Sequence, residues 1–457
     1  MPRLPTALSP LPGILIGILL ISTFACGPST DSTQESSVPT DKPHVVVVLI
    51  DTFRPDHLGV FGHERETAPY LEALIRRSSV FRQAFSTSSW TAPSTSSLFT
   101  SLYPTRHGVT EGFLAHRQRS EAMAAKNEVI QINRLPAEVA TLPELMREAG
   151  YTTLGVASNI NIGSEIGFDR GFDRFEKMQD RSAKKLAARM VAWRKEVPAD
   201  RPTFLYMHFN DVHEPYQQRE PWFEEKEDEL ENLVSAYDSE ISFLDQVLDS
   251  LHQDLNWDEN TLLLLVSDHG EEFKEHGRIG HQFSLYDELM RVLFVVSGEG
   301  IPTQEITDIN VSLIDAVPTL LDLLDLPPPE GRDGLSLAPF LNAESPSGAV
   351  VREFQKRTLF AHRSHHRVRQ GLDERHLWAA VRGSWKWIES PSGGKLFDRA
   401  ADPAEKKNLV RKRQDVVEQL EQALADFREG GFQRGEVTEV EIDEATRKSL
   451  EALGYVQ

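Results

Sequence analysis

The chain has 457 residues and is strongly acidic, with 49 Lys and Arg residues against 70 Asp and Glu residues and a formal net charge of −21. Its hydrophobic content of 40% is ample for a large buried core. The charge argues against broad binding to nucleic acid or to an anionic membrane surface, so an anionic substrate must be attracted locally, for instance by metal ions.

The N-terminus has the pattern of an export signal. A positively charged start is followed by a short apolar run at residues 11–25, LPGILIGILLISTFA, and the small residue Ala25 precedes Cys26. The run is too short to span a bilayer comfortably and is typical of the apolar region of a signal peptide. We predict a signal peptide over residues 1–25 and a flexible polar tether over residues 26–42.

Cys26 is the only cysteine, so no disulfide can form within the chain. Its position directly after the apolar run resembles a bacterial lipoprotein cleavage site, where the cysteine becomes lipidated. Such sites usually carry Leu three residues before the cysteine, where this chain has Thr23. Thr23 and Ala25 also suit ordinary signal cleavage. We expect a lipid-tethered protein in the periplasm or on the cell surface, with soluble secretion as the alternative.

From His44 onward, apolar runs of strand length alternate with helical patterns. The strand-like runs lie at residues 44–50, 151–158, 203–209, 261–267 and 292–298, and the helical patterns at 67–79, 141–150, 230–251 and 312–326. The first run, HVVVVLI, is typical of a strand buried on both faces of a parallel sheet. Thr67 is expected to cap the first helix. The alternation predicts an α/β domain over residues 43–345, with a doubly wound, mostly parallel sheet.

The pattern changes after the segment PPPEGRDG at residues 327–334. Two segments beyond residue 350, LWAAVRGSWKWIES and GKLFDR, are typical of short antiparallel strands. A charged segment at 402–430 follows and is predicted to form a helix, with its basic cluster KKNLVRKR on a solvated face. We predict a smaller C-terminal α+β subdomain over residues 346–457.

Three of the predicted strands end at an acidic residue: Asp51, Asp211 and Asp268. An Asp in this position often caps the next helix, so each one alone is weak evidence of function. His269 follows Asp268 directly, and His213 lies two residues beyond Asp211. Ligands bind outside the carboxyl ends of the strands in open parallel sheets. Carboxylates and imidazoles together at this edge predict a metal site.

The segment STSSWTAPSTSSLFTSL at residues 86–102 raises the question of whether one of its hydroxyls reacts. Its second half can begin a helix near Ser94, which would hold Thr91 at a helix N-terminus, where backbone N–H groups favour an anionic oxygen. A free threonine hydroxyl is a poor nucleophile. Bound to a divalent cation, it can ionise near neutral pH and attack a phosphorus or sulfur centre.

Together these segments resemble the sulfatase family, within the alkaline phosphatase superfamily, over roughly residues 43–410. The matching segments, in family order, are LIDTFRPDHLGVFG, TAPSTSSLFTSLYPTRHG, VSDHGEEFKEHG, RDGLSLAPFL and GKLFDRAADPAEKKNL. The resemblance implies a metal site formed by Asp51, Thr91, Asp268 and His269. It also implies that Thr91 is the nucleophile, and that His213 and His281 contact the substrate oxygens or bind a second metal. Asp211 is a further candidate ligand of a second site.

The sequence also departs from the sulfatase pattern. Sulfatases convert a signature Cys or Ser into formylglycine, but this chain has Thr91 there, so a formylglycine is not expected. Thr95 replaces the signature arginine, and Thr52 replaces the second Asp of the first metal-binding pair. His269 stands where an Asn is common, and His281 where a lysine is expected. The site therefore resembles the threonine-using phosphodiesterases and phosphoglycerol transferases of the superfamily.

These observations predict a metal-dependent ester hydrolase with one or two divalent cations. Imidazole ligands favour zinc or manganese, and calcium or magnesium are the alternatives. We favour phosphoester or phosphodiester hydrolysis over sulfate-ester hydrolysis. A formylglycine-independent sulfatase, a phospho-group transferase and a degenerate carbohydrate-binding protein stay open as alternatives. The expected substrate is a small or a carbohydrate- or lipid-linked anionic ester, selected by loops at residues 117–134 and 361–376.

Replacement of Cys26 by Ser should move the protein from the membrane fraction to the soluble fraction, because the only residue that can carry the lipid is lost. Fractionation followed by immunoblotting measures this, and Ser29→Ala is a matched control that should stay membrane-bound. Membrane retention of the Cys26→Ser protein would contradict the lipoprotein prediction.

Overall fold

A computed structural model describes residues 42–112, 129–258, 260–364, 376–390, 393–431 and 436–441 of the chain, with the backbone alone for 129–131 and 436–441. The predicted signal peptide at residues 1–25, Cys26 and nearly all of the predicted tether lie outside these residues. Most of the two predicted specificity loops also lies outside them. Residues 39–457 form one compact unit.

The helices and strands of the described residues alternate over most of the chain. In chain order they are β1 (His44–Ile50), α1 (Pro69–Arg76), β2 (Ser79–Phe81), β3 (Ala84–Phe85), α2 (Thr91–Thr100), α3 (Pro104–His107), β4 (Val129–Arg134), α4 (Leu142–Glu148), β5 (Thr152–Ala157), β6 (Arg174–Lys177), α5 (Ala183–Glu196), β7 (Thr203–Phe209), α6 (Glu229–Leu255), β8 (Thr261–Ser267), β9 (Glu272–Phe273), β10 (Ile279–Gly280), α7 (Asp287–Met290), β11 (Phe294–Ser297), β12 (Gln304–Ile306), β13 (Val311–Ser312), α8 (Ala316–Leu323), α9 (Gly348–Lys356), β14 (Leu359–Ser364), β15 (His376–Arg382), β16 (Trp385–Ser390), β17 (Gly393–Asp398), α10 (Gln414–Glu429) and β18 (Glu436–Glu441).

The central sheet has eight strands in the order β12-β2-β11-β8-β1-β7-β5-β6. The five strands from β8 to β6 run parallel to one another, and β11 is antiparallel to both of its neighbours. β1 lies in the middle, with Val45 opposite Phe204 of β7 and Leu262 of β8. The prediction of a mostly parallel α/β sheet is therefore confirmed.

Both faces of the sheet are covered by helices, which explains the uninterrupted apolar run of β1. Val45, Val47 and Leu49 pack in a core with α2, α4 and α8. Val46 and Val48 point to the opposite face, in a core with α1, α5 and α6. Because side chains alternate between the two faces of a strand, each strand residue contributes to one of these two cores.

The C-terminal sheet is antiparallel, in the order β14-β15-β16-β17. One of its faces packs against α10 through Trp387 and Leu420. Its other face packs through Ile388 and Phe397 against Met290 of α7. The prediction that the C-terminal part forms an α+β subdomain is confirmed. Its predicted boundary at residue 346 stays a prediction.

Two local predictions are wrong. The charged C-terminal helix begins at Gln414, so the basic cluster before it is not helical; this segment makes turns, in which the carboxylate of Asp402 accepts from the backbone N–H of Lys407 at 2.6 Å. The first helix begins after Ala68 rather than after a capping Thr67. The Thr67 hydroxyl instead donates to the carbonyl of His57 at 2.5 Å.

Within the described residues, we find no helix that combines the length and the apolar composition needed to cross a membrane.

Candidate active site

The carboxyl ends of three adjacent parallel strands, β8, β1 and β7, bring the principal polar groups together. Asp268 follows β8 directly, Asp51 follows β1 directly, and His208 is the penultimate residue of β7. All three side chains are fully buried. Their ligand atoms lie within 4.8 Å of one another. The predicted meeting of Asp51 and Asp268 at one sheet edge therefore occurs in the structure.

Asp51 lies at the centre of this group. Its Oδ2 accepts a hydrogen bond from the side-chain amide of Asn159 at 2.6 Å and from the Thr91 hydroxyl at 3.4 Å. Its Oδ1 makes no hydrogen bond to any described residue and lies 3.4 Å from Nε2 of His269. One oxygen of this buried carboxylate is thus held in place, while the other faces the interior of the group.

Asp268 is arranged in the same way. Its Oδ1 accepts from the backbone N–H groups of His269 at 2.9 Å and of Thr52 at 3.2 Å, while its Oδ2 has no hydrogen-bond partner. Thr52 adopts a left-handed conformation, φ 54°, which is unusual for a β-branched residue. Its hydroxyl donates to the carbonyl of Val212 at 3.0 Å, so this side chain points away from the carboxylates.

His269 points its Nε2 toward the group. Its Nδ1 lies 2.9 Å from the carbonyl oxygen of Gly270, which can only accept, so Nδ1 carries a proton and donates to it. Nε2 lies 3.4 Å from Oδ2 of Asp268. Gly270 is required after this histidine, because a Cβ here would lie 2.0 Å from the carbonyl oxygen of Glu288.

Thr91 is the first residue of α2, as predicted, although the helix begins at this residue rather than near Ser94. Its hydroxyl lies 3.4 Å from Nε2 of His269 and 3.5 Å from the amide nitrogen of Asn159. The helix positions it because Leu98 and Phe99 are buried in the core below the sheet edge. Thr91 therefore lies beside both Asp51 and His269, with its hydroxyl at the positive end of the helix dipole.

The two buried carboxylates have strongly altered acidity. Burial, followed by the charge of Asp268, raises the pKa of Asp51 well above its usual value. Burial raises the pKa of Asp268 to about 8, with Glu271 adding to the effect. Both pKa values rise mainly because burial disfavours a charged carboxylate, and a nearby negative charge adds to the effect, from Asp268 on Asp51 and from Glu271 on Asp268.

The donor atoms fit a divalent cation. Oδ1 of Asp51, Oδ2 of Asp268 and Nε2 of His269 face one another without hydrogen bonds to each other, at 3.4 Å for both pairs that include the imidazole. Two donors that bind one ion at about 2.1 Å and at a tetrahedral angle lie roughly 3.4 Å apart. Longer calcium bonds at about 2.3–2.6 Å and right angles give a similar spacing. The spacing of the donor atoms thus fits a bound divalent cation, and the imidazole ligand favours zinc or a similar transition metal.

His213 and His281 lie next to this group. The ring of His281 is 4.7 Å from that of His269 and 4.9 Å from that of His213, measured between centroids. Nδ1 of His281 lies 3.0 Å from Oε1 of Glu271, whose other oxygen accepts from the Tyr216 hydroxyl at 2.7 Å. Burial lowers the pKa of both His213 and His281 well below the usual value, so both rings are neutral.

Asp211 makes contacts outside this group. Its Oδ1 accepts from the backbone N–H of Ala183, the first residue of α5, at 3.2 Å and lies 3.5 Å from the guanidinium of Arg219. Burial raises the pKa of Asp211 to about 7. This carboxylate thus interacts with the N-terminus of the helix that precedes β7, and not with the next helix, which was the alternative considered for each strand-end acid. Its role in a second metal site stays a prediction.

Three buried polar residues of the site were missed in the sequence. Asn159 bonds Asp51 and also donates to Oδ1 of Asn210 at 3.1 Å. His208 lies with its Nε2 3.7 Å from Oδ2 of Asp51. Asn159 and Asn210 closely follow the ends of β5 and β7, so extending the strand-end rule from acids to amides would have found them. His208 lies inside a strand and gave no such signal.

Thr95, which stands where the sulfatase signature has an arginine, is also buried. Thr95 lies one turn along α2 from Thr91 and is fully buried, with a hydroxyl that has no hydrogen-bond partner among the described residues. The hydroxyl supplies none of the positive charge that the arginine would bring. Any negative charge near Thr91 would therefore have to be balanced by groups other than residue 95.

Comparison with known proteins identifies relatives along most of the chain. A profile of the sulfatase family matches residues 43–326, and a profile described as N-sulphoglucosamine sulphohydrolase, C-terminal, matches residues 274–430. A choline-sulfatase of Rhizobium meliloti (strain 1021) is 24% identical over 470 residues, covering 85% of this chain and 86% of that protein. A Delta 4,5-hexuronate-2-O-sulfatase of Bacteroides thetaiotaomicron is 22% identical over 436 residues, covering 81% and 85%. Among solved structures, the phosphonate monoester hydrolase of Agrobacterium radiobacter has a TM-score of 0.69 at 18% identity, covering 88% of this chain and 100% of that chain.

Zinc or manganese affinity should increase as the pH rises toward 8. Because the pKa of Asp268 is raised to about 8, a cation must displace protons from the carboxylates below that pH. The dissociation constant should fall by up to about tenfold per pH unit for each displaced proton, and the dependence should weaken above pH 8. Isothermal titration calorimetry in buffers of different protonation enthalpy counts the released protons. An affinity independent of pH between 6 and 8 would contradict this assignment, and Asp211→Asn is the matched control that should keep the pH dependence.

Proposed function

Because this chain belongs to the sulfatase family, we propose that it is an ester hydrolase whose nucleophile is the hydroxyl of Thr91 and whose preferred substrates are phosphodiesters or similar phosphoesters. The family is metal-dependent, and Asp51, Asp268, His269 and Thr91 are the residues that would hold the cation. The observation that carries the proposal is the position of the Thr91 hydroxyl, 3.4 Å from both Oδ2 of Asp51 and Nε2 of His269.

The nucleophile differs from that of formylglycine sulfatases. When bound, a divalent cation would lower the pKa of the Thr91 hydroxyl and take up charge from the ester oxygens. The Thr91 oxygen attacks the phosphorus in line with the leaving alkoxide, which departs as the new ester bond forms. Asn159 donates a hydrogen bond toward both Thr91 and Asp51 and so limits their movement. Water then hydrolyses the Thr91 ester and restores the free hydroxyl.

Proton transfer is assigned to His281, with His213 beside it. Glu271 accepts from Nδ1–H of His281, which leaves Nε2 as the proton acceptor that faces the site. A carboxylate behind an imidazole stabilises the charged form that appears when Nε2 takes a proton from the attacking water. That proton then passes to the Thr91 oxygen as its ester bond breaks, and the proton that the Thr91 hydroxyl loses in the first step leaves with the departing alkoxide as the alcohol. The hydrogen bond from Tyr216 holds Glu271 in this orientation.

The charge of the site favours a substrate with one negative charge. The negative charges of two carboxylates cancel the positive charge of one divalent cation. At the two positions where the family is expected to have basic residues, this chain has the uncharged Thr95 and a buried, neutral His281. Glu271 adds negative character nearby. A dianionic phosphate monoester would therefore be bound less well than a monoanionic phosphodiester or phosphonate monoester. The structural similarity to a phosphonate monoester hydrolase supports the same class of substrate.

A sulfate ester is the second candidate. It also carries one negative charge, and two relatives in sequence are a choline-sulfatase and a hexuronate sulfatase. The C-terminal match to an N-sulphoglucosamine sulphohydrolase profile points in the same direction. The absence of a convertible Cys or Ser at Thr91 argues against it, because a threonine ester of sulfate must be released without the elimination route that a formylglycine hydrate provides. A sugar- or lipid-linked ester is compatible with either chemistry.

The proposed location is outside the cytoplasmic membrane. The export signal and Cys26 support a lipid-tethered enzyme, and this rests on the sequence alone.

Thr91→Ala should reduce kcat by more than about 1,000-fold, while Thr91→Ser should keep measurable activity because it retains a hydroxyl. The measurement compares an aryl phosphodiester, a phosphonate monoester, a phosphate monoester and an aryl sulfate with zinc, manganese and calcium. We expect the two phosphorus monoanions to give the highest kcat/KM. Mass spectrometry of rapidly quenched protein should locate a phosphoryl or phosphonyl group on Thr91.

The control is Thr95→Ala, which removes a neighbouring buried hydroxyl from the same helix and should leave an adduct on Thr91. A preference for the aryl sulfate would transfer the assignment to a formylglycine-independent sulfatase. Undiminished turnover by Thr91→Ala would show that the nucleophile is another group.

A further inference from the structure

His208 is a buried imidazole whose hydrogen-bonding groups are not satisfied by the described protein. It lies on β7, opposite Leu49 of β1 and Ala157 of β5, and it is fully buried. Its strand neighbour Tyr206 packs in the same core as Phe99 of α2. Because side chains two residues apart share a face of a strand, His208 lies on the face of the sheet that carries α2 and Thr91.

Neither ring nitrogen of His208 has a hydrogen-bond partner among the described residues. His107, an equally buried imidazole, behaves differently: it interacts with the Ser97 hydroxyl at 3.1 Å, the Pro93 carbonyl at 3.2 Å and the Val109 amide at 3.1 Å. A buried polar group without a partner is rare in proteins and calls for a specific explanation, such as an ion. His208 therefore differs from an ordinary structural histidine.

The position of His208 explains the unsatisfied nitrogen. Nε2 lies 3.7 Å from Oδ2 of Asp51, too far for a hydrogen bond. One ring nitrogen of His208 and one carboxylate oxygen each of Asp51 and Asp268 lie within 4.8 Å of one another. His269 lies 3.4 Å from each of the same two carboxylates. His208 thus faces Oδ2 of Asp51, the oxygen that also accepts from Asn159, while His269 faces Oδ1, and both imidazoles lie beside the same pair of carboxylates.

A second cluster of similar composition shows the contrast. Asp238 lies between His57 at 2.7 Å and His63 at 3.2 Å, and Arg65 lies 3.8 Å away from the same carboxylate. These short contacts are hydrogen bonds, and the nearby guanidinium already supplies positive charge. This cluster is thus complete without a cation, whereas the cluster around His208 is not.

We propose that His208 is a direct ligand of the catalytic cation through Nε2, so that the site binds its metal with two imidazoles rather than one. The proposal rests on the proposed function, because it assumes that Asp51, Asp268 and His269 hold a metal. Two imidazoles and two carboxylates favour zinc or a similar borderline cation over calcium and magnesium, which prefer oxygen ligands. His208 would therefore be a determinant of metal selectivity.

The test counts coordinated imidazoles directly. The full-length protein is loaded with one equivalent of Cu²⁺, and pulsed electron paramagnetic resonance detects the remote nitrogen of each bound imidazole. Signals are assigned to this site only if one equivalent of Zn²⁺ removes them. We expect two imidazoles in the wild-type protein, and one in His208→Ala and in His269→Ala. If His208→Ala fails to fold, His208→Gln takes its place, because only the loss of one imidazole from the count assigns that imidazole to His208.

Metal selectivity gives a second readout. His208→Ala should weaken zinc binding by more than about 100-fold, beyond the roughly 10–100-fold that loss of an outer hydrogen-bond partner causes, and should change calcium binding much less. The ratio of zinc to calcium affinity should therefore fall, which a general loss of structure would not produce. His107→Gln is the matched control, since it alters an equally buried imidazole and should keep both copper-bound imidazoles and the affinity ratio.

The outcomes separate the two proposals. One coordinated imidazole in the wild-type protein, lost in His269→Ala but not in His208→Ala, would overturn the role of His208 and leave the proposed function intact. An unchanged ratio of zinc to calcium affinity in His208→Ala would do the same. A wild-type protein that takes up no cation at this site and whose turnover does not depend on Thr91 would overturn the proposed function itself.

Discussion

The site depends on two acidic side chains that are buried close together. Within the described protein, no lysine or arginine side chain donates a hydrogen bond to either of them. Asp51 and Asp268 each turn one oxygen to hydrogen-bond donors and leave the other unbonded toward the same space. The raised pKa values of both groups express the cost of this arrangement. A bound cation removes that cost, and the surrounding elements hold the carboxylates in position for it. The parallel strands β1 and β8 place them side by side, and α2 brings Thr91 to the same point.

The same constraint accounts for the proposed use of Thr91 in place of a formylglycine. A threonine hydroxyl is a weak nucleophile unless its proton is easily lost, and Thr91 lies where a cation and the positive end of a helix dipole would both lower that cost. Thr95 and His281 stand where the family resemblance implies basic residues, and neither supplies positive charge. In the proposed mechanism the site would therefore have little positive charge beyond that of the cation, which would suit a monoanionic ester, and His281 with Glu271 would transfer protons.

Much of the fold and part of the site could be predicted from the residues alone. Long apolar runs, such as the one ending at Asp51, are strong signals, whereas β2, with three residues, and β6, with four, are too short to show a pattern. The strand-end rule identified Asp51 and Asp268 correctly as neighbours. Applied to Asp211, the same rule could not show that this carboxylate turns toward the N-terminus of α5, because that depends on how the helix before β7 packs against the sheet.

His208 shows the opposite limit. Within the run TFLYMHF it reads as one polar residue in a buried strand, and nothing local says which face it occupies or what lies opposite. His208 lies near Asp51 because the strand register pairs it with Leu49, two residues before Asp51, and this register could not be read from the local sequence. The start of α10 was misplaced for a related reason, since turn-forming side-chain bonds such as those of Asp402 outweigh helix propensity in that segment.

The central claim is that a divalent cation lies between the two buried carboxylates. Anomalous diffraction from crystals of the full-length protein, grown with zinc or manganese and recorded on both sides of the absorption edge of that metal, tests it most directly. We predict a single strong anomalous peak at roughly 2.0–2.3 Å from Oδ1 of Asp51, Oδ2 of Asp268 and Nε2 of His269, with the Thr91 oxygen in contact. Carboxylates that approach to hydrogen-bonding distance around a shared proton, with no anomalous peak between them, would contradict it.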